Sequence, residues 1–63
     1  MASGGNTPLH VAAAGGHARA VRMLVQSGAD LEARDAHGHT AHGLAVRLGQ
    51  EEAAAVLERA AVL

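Results

Sequence analysis

The chain contains no aromatic residue and no cysteine. Without aromatics, a core must be assembled from small side chains that each bury little area, so the backbones have to approach closely. Without cysteine there is no disulfide to staple the fold and no thiolate to hold a metal or act as a nucleophile. Lysine is absent too: five arginines face six carboxylates, for a net charge of −1 with the histidines neutral. That balance leaves no electrostatic footprint for nucleic acid or an anionic membrane. No apolar run approaches the ~18 residues of a membrane span. Met1-Ala2-Ser3-Gly4-Gly5 has neither the basic end nor the apolar stretch of a signal peptide. These absences predict a cytoplasmic or nuclear protein with neither nucleic acid nor membrane as partner.

Catalytic patterns are missing as well. The sequence has no G-x-S-x-G, no phosphate-binding loop and no H-E-x-x-H, and its serines are Ser3, in a Gly-rich start, and Ser27, at a helix end. At 63 residues it is also too short to enclose a water-excluding pocket with ease. The expectation is no enzyme and no cofactor. So short a chain makes at most one compact unit, in which apolar burial and the entropy of ordering nearly cancel.

What the chain does have is repetition. Sliding it by 33 positions superposes Gly5 on Gly38, Thr7 on Thr40, Ala12 on Ala45, Gly16 on Gly49, Ala20 on Ala53 and Leu24 on Leu57. Alanine matches are cheap in so alanine-rich a sequence. The Gly, Thr and Leu matches are not, because they fall where turns, caps and core belong.

Each copy reads as two short helices, which predicts an all-α fold. Thr7-Pro8 is a helix start: the hydroxyl can accept a bond from an early amide, and proline at the first helical position loses no bond it would otherwise make. A first helix is expected over 9–14, ended by Gly15-Gly16. A second is expected over 18–27, with Val21, Leu24, Val25 and Gly28 on one side and Arg19, Arg22 and Gln26 on another. Gly28 stops it as a C-cap. Asp35-Ala36-His37-Gly38 reads as a tight turn. Thr40 opens the second copy, with helices expected over 41–48 and 51–60 and Gly49 between them. Glu51 and Glu52 suit a helix N-terminus.

Gly5-Asn6-Thr7-Pro8-Leu9-His10-Val11-Ala12-Ala13 resembles the opening of an ankyrin repeat, G-x-T-P-L-H-L-A-A. The likeness continues through Gly16-His17, Val21, Leu24, Val25 and Gly28-Ala29-Asp30 to Asp35 and Gly38-His39-Thr40. It implies an ankyrin-repeat solenoid fragment, two helix-turn-helix units joined by a turn or hairpin loop. The expected division is a flexible start at 1–4, one repeat over 5–37, and a degenerate or C-capping repeat over 38–63. In the second copy Ala41, His42 and Gly43 replace the Pro-Leu-His of the first, and Glu58 takes the place of Val25. The resemblance assigns structural duty to Thr7, Pro8, Leu9, His10, Gly16, Gly28, Asp35, Gly38 and Thr40, with His10 as a buried histidine bonded to backbone and to Thr7.

For function, the resemblance implies a protein-interaction module that binds another protein through turn tips and the concave face of the first helices. Carried onto this sequence, those positions are Arg34, Ala36, His37 and His39 at the tip, and Ala14 and Arg47 on the helices, with Leu48 beside them. An arginine and two histidines suit an acidic or hydrogen-bonding partner surface. Two repeats are fewer than solenoids normally need, so a truncated piece of a larger array is one alternative and self-stacking into oligomers another. A third is a weak histidine metal site at His37, His39 and His42, although the spacing matches no established zinc pattern.

Overall fold

A computed structural model describes residues 7–62 as two helical hairpins. The expected flexible segment at 1–4, Gly5-Asn6 of the repeat opening, and Leu63 lie outside the described residues. The first hairpin is α1 (Pro8–Ala14) and α2 (Ala18–Gln26); the second is α3 (Ala41–Arg47) and α4 (Glu51–Val62). No strand occurs among the described residues. Helix α1 packs on α2 and on α3, and α4 packs on α2 and on α3, so the hairpins stack side by side.

Local chemistry accounts for the helix ends. Thr7 and Thr40 are extended N-caps whose hydroxyls accept from the amides of His10 and Gly43, at 3.2 and 3.1 Å. Three of the helices finish in one way. Gly16, Gly28 and Gly49 have φ of 74°, 94° and 75°, a left-handed conformation that costs glycine nothing sterically. The following amides of His17, Ala29 and Gln50 then reach back to the carbonyls of Ala12, Leu24 and Ala45. These ends fall within a residue of the expected ones. Helix α4 departs from expectation, running on to Val62 rather than stopping near 60. In the second copy Ala61 stands in the slot of Gly28, and alanine, the best helix former, supplies no stop.

The core consists of Leu9, Ala12, Ala13, Val21, Ala41, Ala45, Ala53, Ala54 and Leu57, with Leu24, Val25, Ala29, Leu31 and Val56 packed against it. Among the described residues, six of the nine buried apolar side chains are alanine. Burial of the three larger ones, Leu9, Val21 and Leu57, is worth about 2 kcal/mol each, so small losses elsewhere bear directly on folding.

The glycines after α1 and α2 make a controlled pair. A β-carbon on Gly28 would meet nothing within 4 Å, whereas one on Gly16 would lie 2.6 Å from Oε1 of Gln50. Gly28→Ala should cost about 1 kcal/mol for its positive φ alone. Gly16→Ala should cost about 2 kcal/mol or more in urea unfolding, and combining it with Gln50→Ala should shrink the difference between the two positions. Equal losses at both positions would show that Gln50 yields freely.

Candidate partner-binding surface

The loop between the hairpins carries the tip residues, and its backbone is held from three directions. The Asp35 carbonyl accepts from the Gly38 amide at 3.0 Å, closing the expected turn, with Gly38 at φ 83°. Oδ1 of Asp35 accepts from the amides of His37 and His39, at 2.8 and 2.9 Å. The carbonyl of His39 accepts from the Asp35 amide at 2.9 Å and from the His10 ring at 2.8 Å.

That last contact fixes the tautomer of the neutral His10 ring. Nε2 lies 2.8 Å from a carbonyl oxygen, which can only accept, so Nε2 carries the proton. In the neutral ring Nδ1 is then an acceptor, and the Thr7 hydroxyl donates to it at 2.7 Å. The Thr7 oxygen in turn accepts from the His10 amide. His10 is 1% exposed, and no buried polar side-chain atom among the described residues lacks a partner. The imidazole therefore spans the interface between hairpins, from the N-cap of α1 to the end of the loop.

The network also acts on Asp35. Its carboxyl sits below the ordinary carboxylate value, chiefly because the His39 amide donates to it. Desolvation opposes that, while the His37 amide and electrostatic interaction with the nearby His39 and His10 imidazoles reinforce it.

Around this fixed backbone the side chains are open. Arg34, Ala36 and His37 are exposed and His39 is half-buried. Arg47 and Leu48 are exposed at the end of α3, while Ala14, the equivalent of Arg47 on α1, is half-buried. The alternative of a three-histidine metal site is not assembled. The His37 and His39 rings stand 6.4 Å apart and tilted, and His42, in the first turn of α3, lies in a separate hollow with Leu31, Glu32, Thr40 and Leu57. Among the described residues no group of three or more His, Cys, Asp or Glu is arranged to hold a metal ion.

One residue was invisible to sequence reasoning. Nε2 of Gln50 donates to the carbonyl of Ala14 at 2.9 Å, a second bond between hairpins at the opposite end of α1 from His10. The 33-residue shift places Gln50 on His17, so each copy has a polar side chain directly after its turn glycine. That was the available signal.

The family model described as Ankyrin repeat matches residues 4–36, slightly more than half of the chain. The chain belongs to the ankyrin-repeat family. It is 41% identical over 56 residues to Protein phosphatase 1 regulatory subunit 12A of Mus musculus and of Rattus norvegicus, across 89% of this chain and 5% of each relative. It is 47% identical over 47 residues to E3 ubiquitin-protein ligase XBAT33 of Arabidopsis thaliana, across 75% of this chain and 9% of that protein. The chain thus spans less than a tenth of the length of the relatives it matches. Ankyrin repeats are in general non-catalytic protein-interaction modules. Among the described residues no helix is long and apolar enough to cross a membrane.

The Asp35 network predicts a pH dependence. A carboxyl with a lowered folded pKa contributes stability that is complete above its unfolded value of ~3.9 and is lost as pH falls through the folded value. Asp35→Asn keeps an acceptor oxygen but cannot titrate. Urea midpoints should therefore favour the unmodified chain above pH 5, with the gap to Asp35→Asn narrowing steadily toward pH 2. Parallel curves would remove Asp35 as a source of acid sensitivity. Ring ¹⁵N shifts of the neutral His10 imidazole should place its proton on Nε2 and not on Nδ1.

Proposed function

We propose that the chain binds another protein through the loop tip (Arg34, Ala36, His37 and His39) and the adjoining ends of α1 and α3 (Ala14 and Arg47, with Leu48), without catalysis. The observation that carries this reading is a division of labour within one loop. Its backbone is held by Asp35 and His10, while Arg34, Ala36 and His37 have exposed side chains. A loop already held in one conformation loses little entropy when a partner docks, so more of the contact energy appears as affinity. Arg34 and the two imidazoles offer hydrogen-bond donors of positive or neutral charge, which favours an acidic or hydrogen-bonding partner surface.

The second hairpin is read as a degenerate or C-capping repeat over 38–63. Support comes from the Thr40 cap, the 33-residue correspondence of α3 and α4 with α1 and α2, and the exposed Glu58 at the place where the first hairpin has the half-buried Val25. A carboxylate there suits a solvent-facing end of a stack.

Photo-crosslinking tests the surface. A benzophenone amino acid at Ala36 or Leu48 should yield adducts to the same protein, while one at the exposed Arg22 on α2 should not. The triple variant Arg34→Ala, His37→Ala, His39→Ala should lower the adduct yield at Leu48 at least tenfold, with far-UV circular dichroism unchanged. Adducts from Arg22 alone, or an unchanged yield from the triple variant, would place the binding surface elsewhere.

A further inference from the structure

Helices α2 and α4 pack side by side, and the exposed edge of their seam carries charges that neither the core nor the loop tip uses. The 33-residue correspondence sets Arg19 level with Glu52, Arg22 level with Ala55 and Gln26 level with Arg59. All six are exposed. Arg19 thus has a carboxylate opposite it, and the two line one hollow near the start of both helices, which Arg22 also borders. Arg22 and Arg59 are placed differently. Opposite them stand an alanine and an uncharged amide, neither of which can offset a guanidinium.

Those two arginines flank a second hollow, farther along the seam, of about 250 Å³. Its floor is apolar: Val25 and Val56, half-buried and packed against the core, with the half-buried Ala60. Arg22, Gln26 and Arg59 form the walls. By their registers the two arginines sit one turn apart on opposite helices, about 6 Å along the seam. No carboxylate is among the described residues that line the hollow. Glu58, next to Arg59 in sequence, borders another hollow with Leu31 and His42, and Glu52 borders the hollow at the start of the helices. In a chain of net charge −1, this is a local positive site built on an apolar base.

We propose that this groove docks an acidic segment of a partner protein, one in which a branched aliphatic side chain is flanked by carboxylates. The occupant follows from charge and shape together. The aliphatic group enters between Val25, Val56 and Ala60 and removes apolar surface from water. The carboxylates accept from Arg22 and Arg59, whose planar guanidinium forks match the two oxygens of a carboxylate. A bare phosphate ion would gain nothing from the floor, and exposed ion pairs alone contribute little. Single-stranded nucleic acid would find no aromatic side chain to stack on, since the chain has none. The groove shares no residue with the loop tip and binds a different partner, so a photo-crosslinker at Arg22 should capture a protein other than the one captured at Ala36 and Leu48.

The probe is a blocked pentapeptide with one leucine between two pairs of glutamates, titrated at low salt into the ¹⁵N-labelled 63-residue chain. Amide shifts should concentrate at 22–26 and 56–60. Arg22→Gln and Arg59→Gln should each weaken binding about threefold or more, with far-UV circular dichroism unchanged, because both side chains are exposed. Arg19→Gln should change it less than about twofold, because Glu52 stands opposite Arg19. Replacing the leucine of the peptide by glycine should also weaken binding about threefold or more. Equal losses from Arg19→Gln and Arg22→Gln, or equal binding of the glycine peptide, would reduce the effect to diffuse attraction and overturn the proposal. So would shifts centred on 34–39, no shifts at all, or equally tight binding of pentathymidylate, which carries the same charge on a nucleic acid. The triple variant Arg34→Ala, His37→Ala, His39→Ala should leave the peptide affinity unchanged, so the groove and the loop tip stand or fall separately.

Discussion

The arrangement of the two hairpins depends on one imidazole. A core made mostly of alanine supplies attraction without direction: small, similar side chains pack nearly as well after a slip or a rotation. His10 supplies direction, because its two nitrogens must meet a hydroxyl and a carbonyl at fixed distances, one at the cap of α1 and the other at the end of the loop that leads into the second hairpin. The burial that makes the contact strong also makes any register that leaves the ring unpaired costly. Register is therefore set by polar geometry, and stability by apolar contact.

The same imidazole links the core to the surface proposed for binding. Its acceptor, the carbonyl of His39, also takes the Asp35 amide, and Asp35 holds the amides of His37 and His39. The chain of bonds runs from the cap of α1 through a buried ring to an exposed turn. Order at the tip is thus borrowed from the core, which is how so small a molecule can present a defined surface without aromatic anchors or disulfides.

Much of this could be read in the sequence, for identifiable reasons. The Thr-Pro start and the glycines at 16, 28 and 49 act on the backbone within four residues of themselves, so the ends of α1, α2 and α3 were legible from local rules. The length of α4 was less so, since a missing stop is a weaker signal than a present one, and Ala60-Ala61-Val62 simply continues. The three clustered histidines looked like a ligand set only along the chain. In space Thr40 caps a new helix between His39 and His42 and sends their side chains to different places. Gln50 stayed hidden because its partner is a main-chain carbonyl, which every residue has, 36 positions earlier.

The bond from Gln50 changes what the interface can do mechanically. With the His10 contact alone, the hairpins would meet at a single polar point, and a single point is a pivot. Gln50 adds a second point at Ala14, the far end of α1, four residues and about 6 Å of helix rise from His10. Rotation about either bond stretches the other, so the pair removes the swivel that alanine packing alone would permit. The joint between the hairpins is a clamp rather than a hinge. The angle between them is then set by two side chains, and it can be retuned by changing one of them while the core stays as it is.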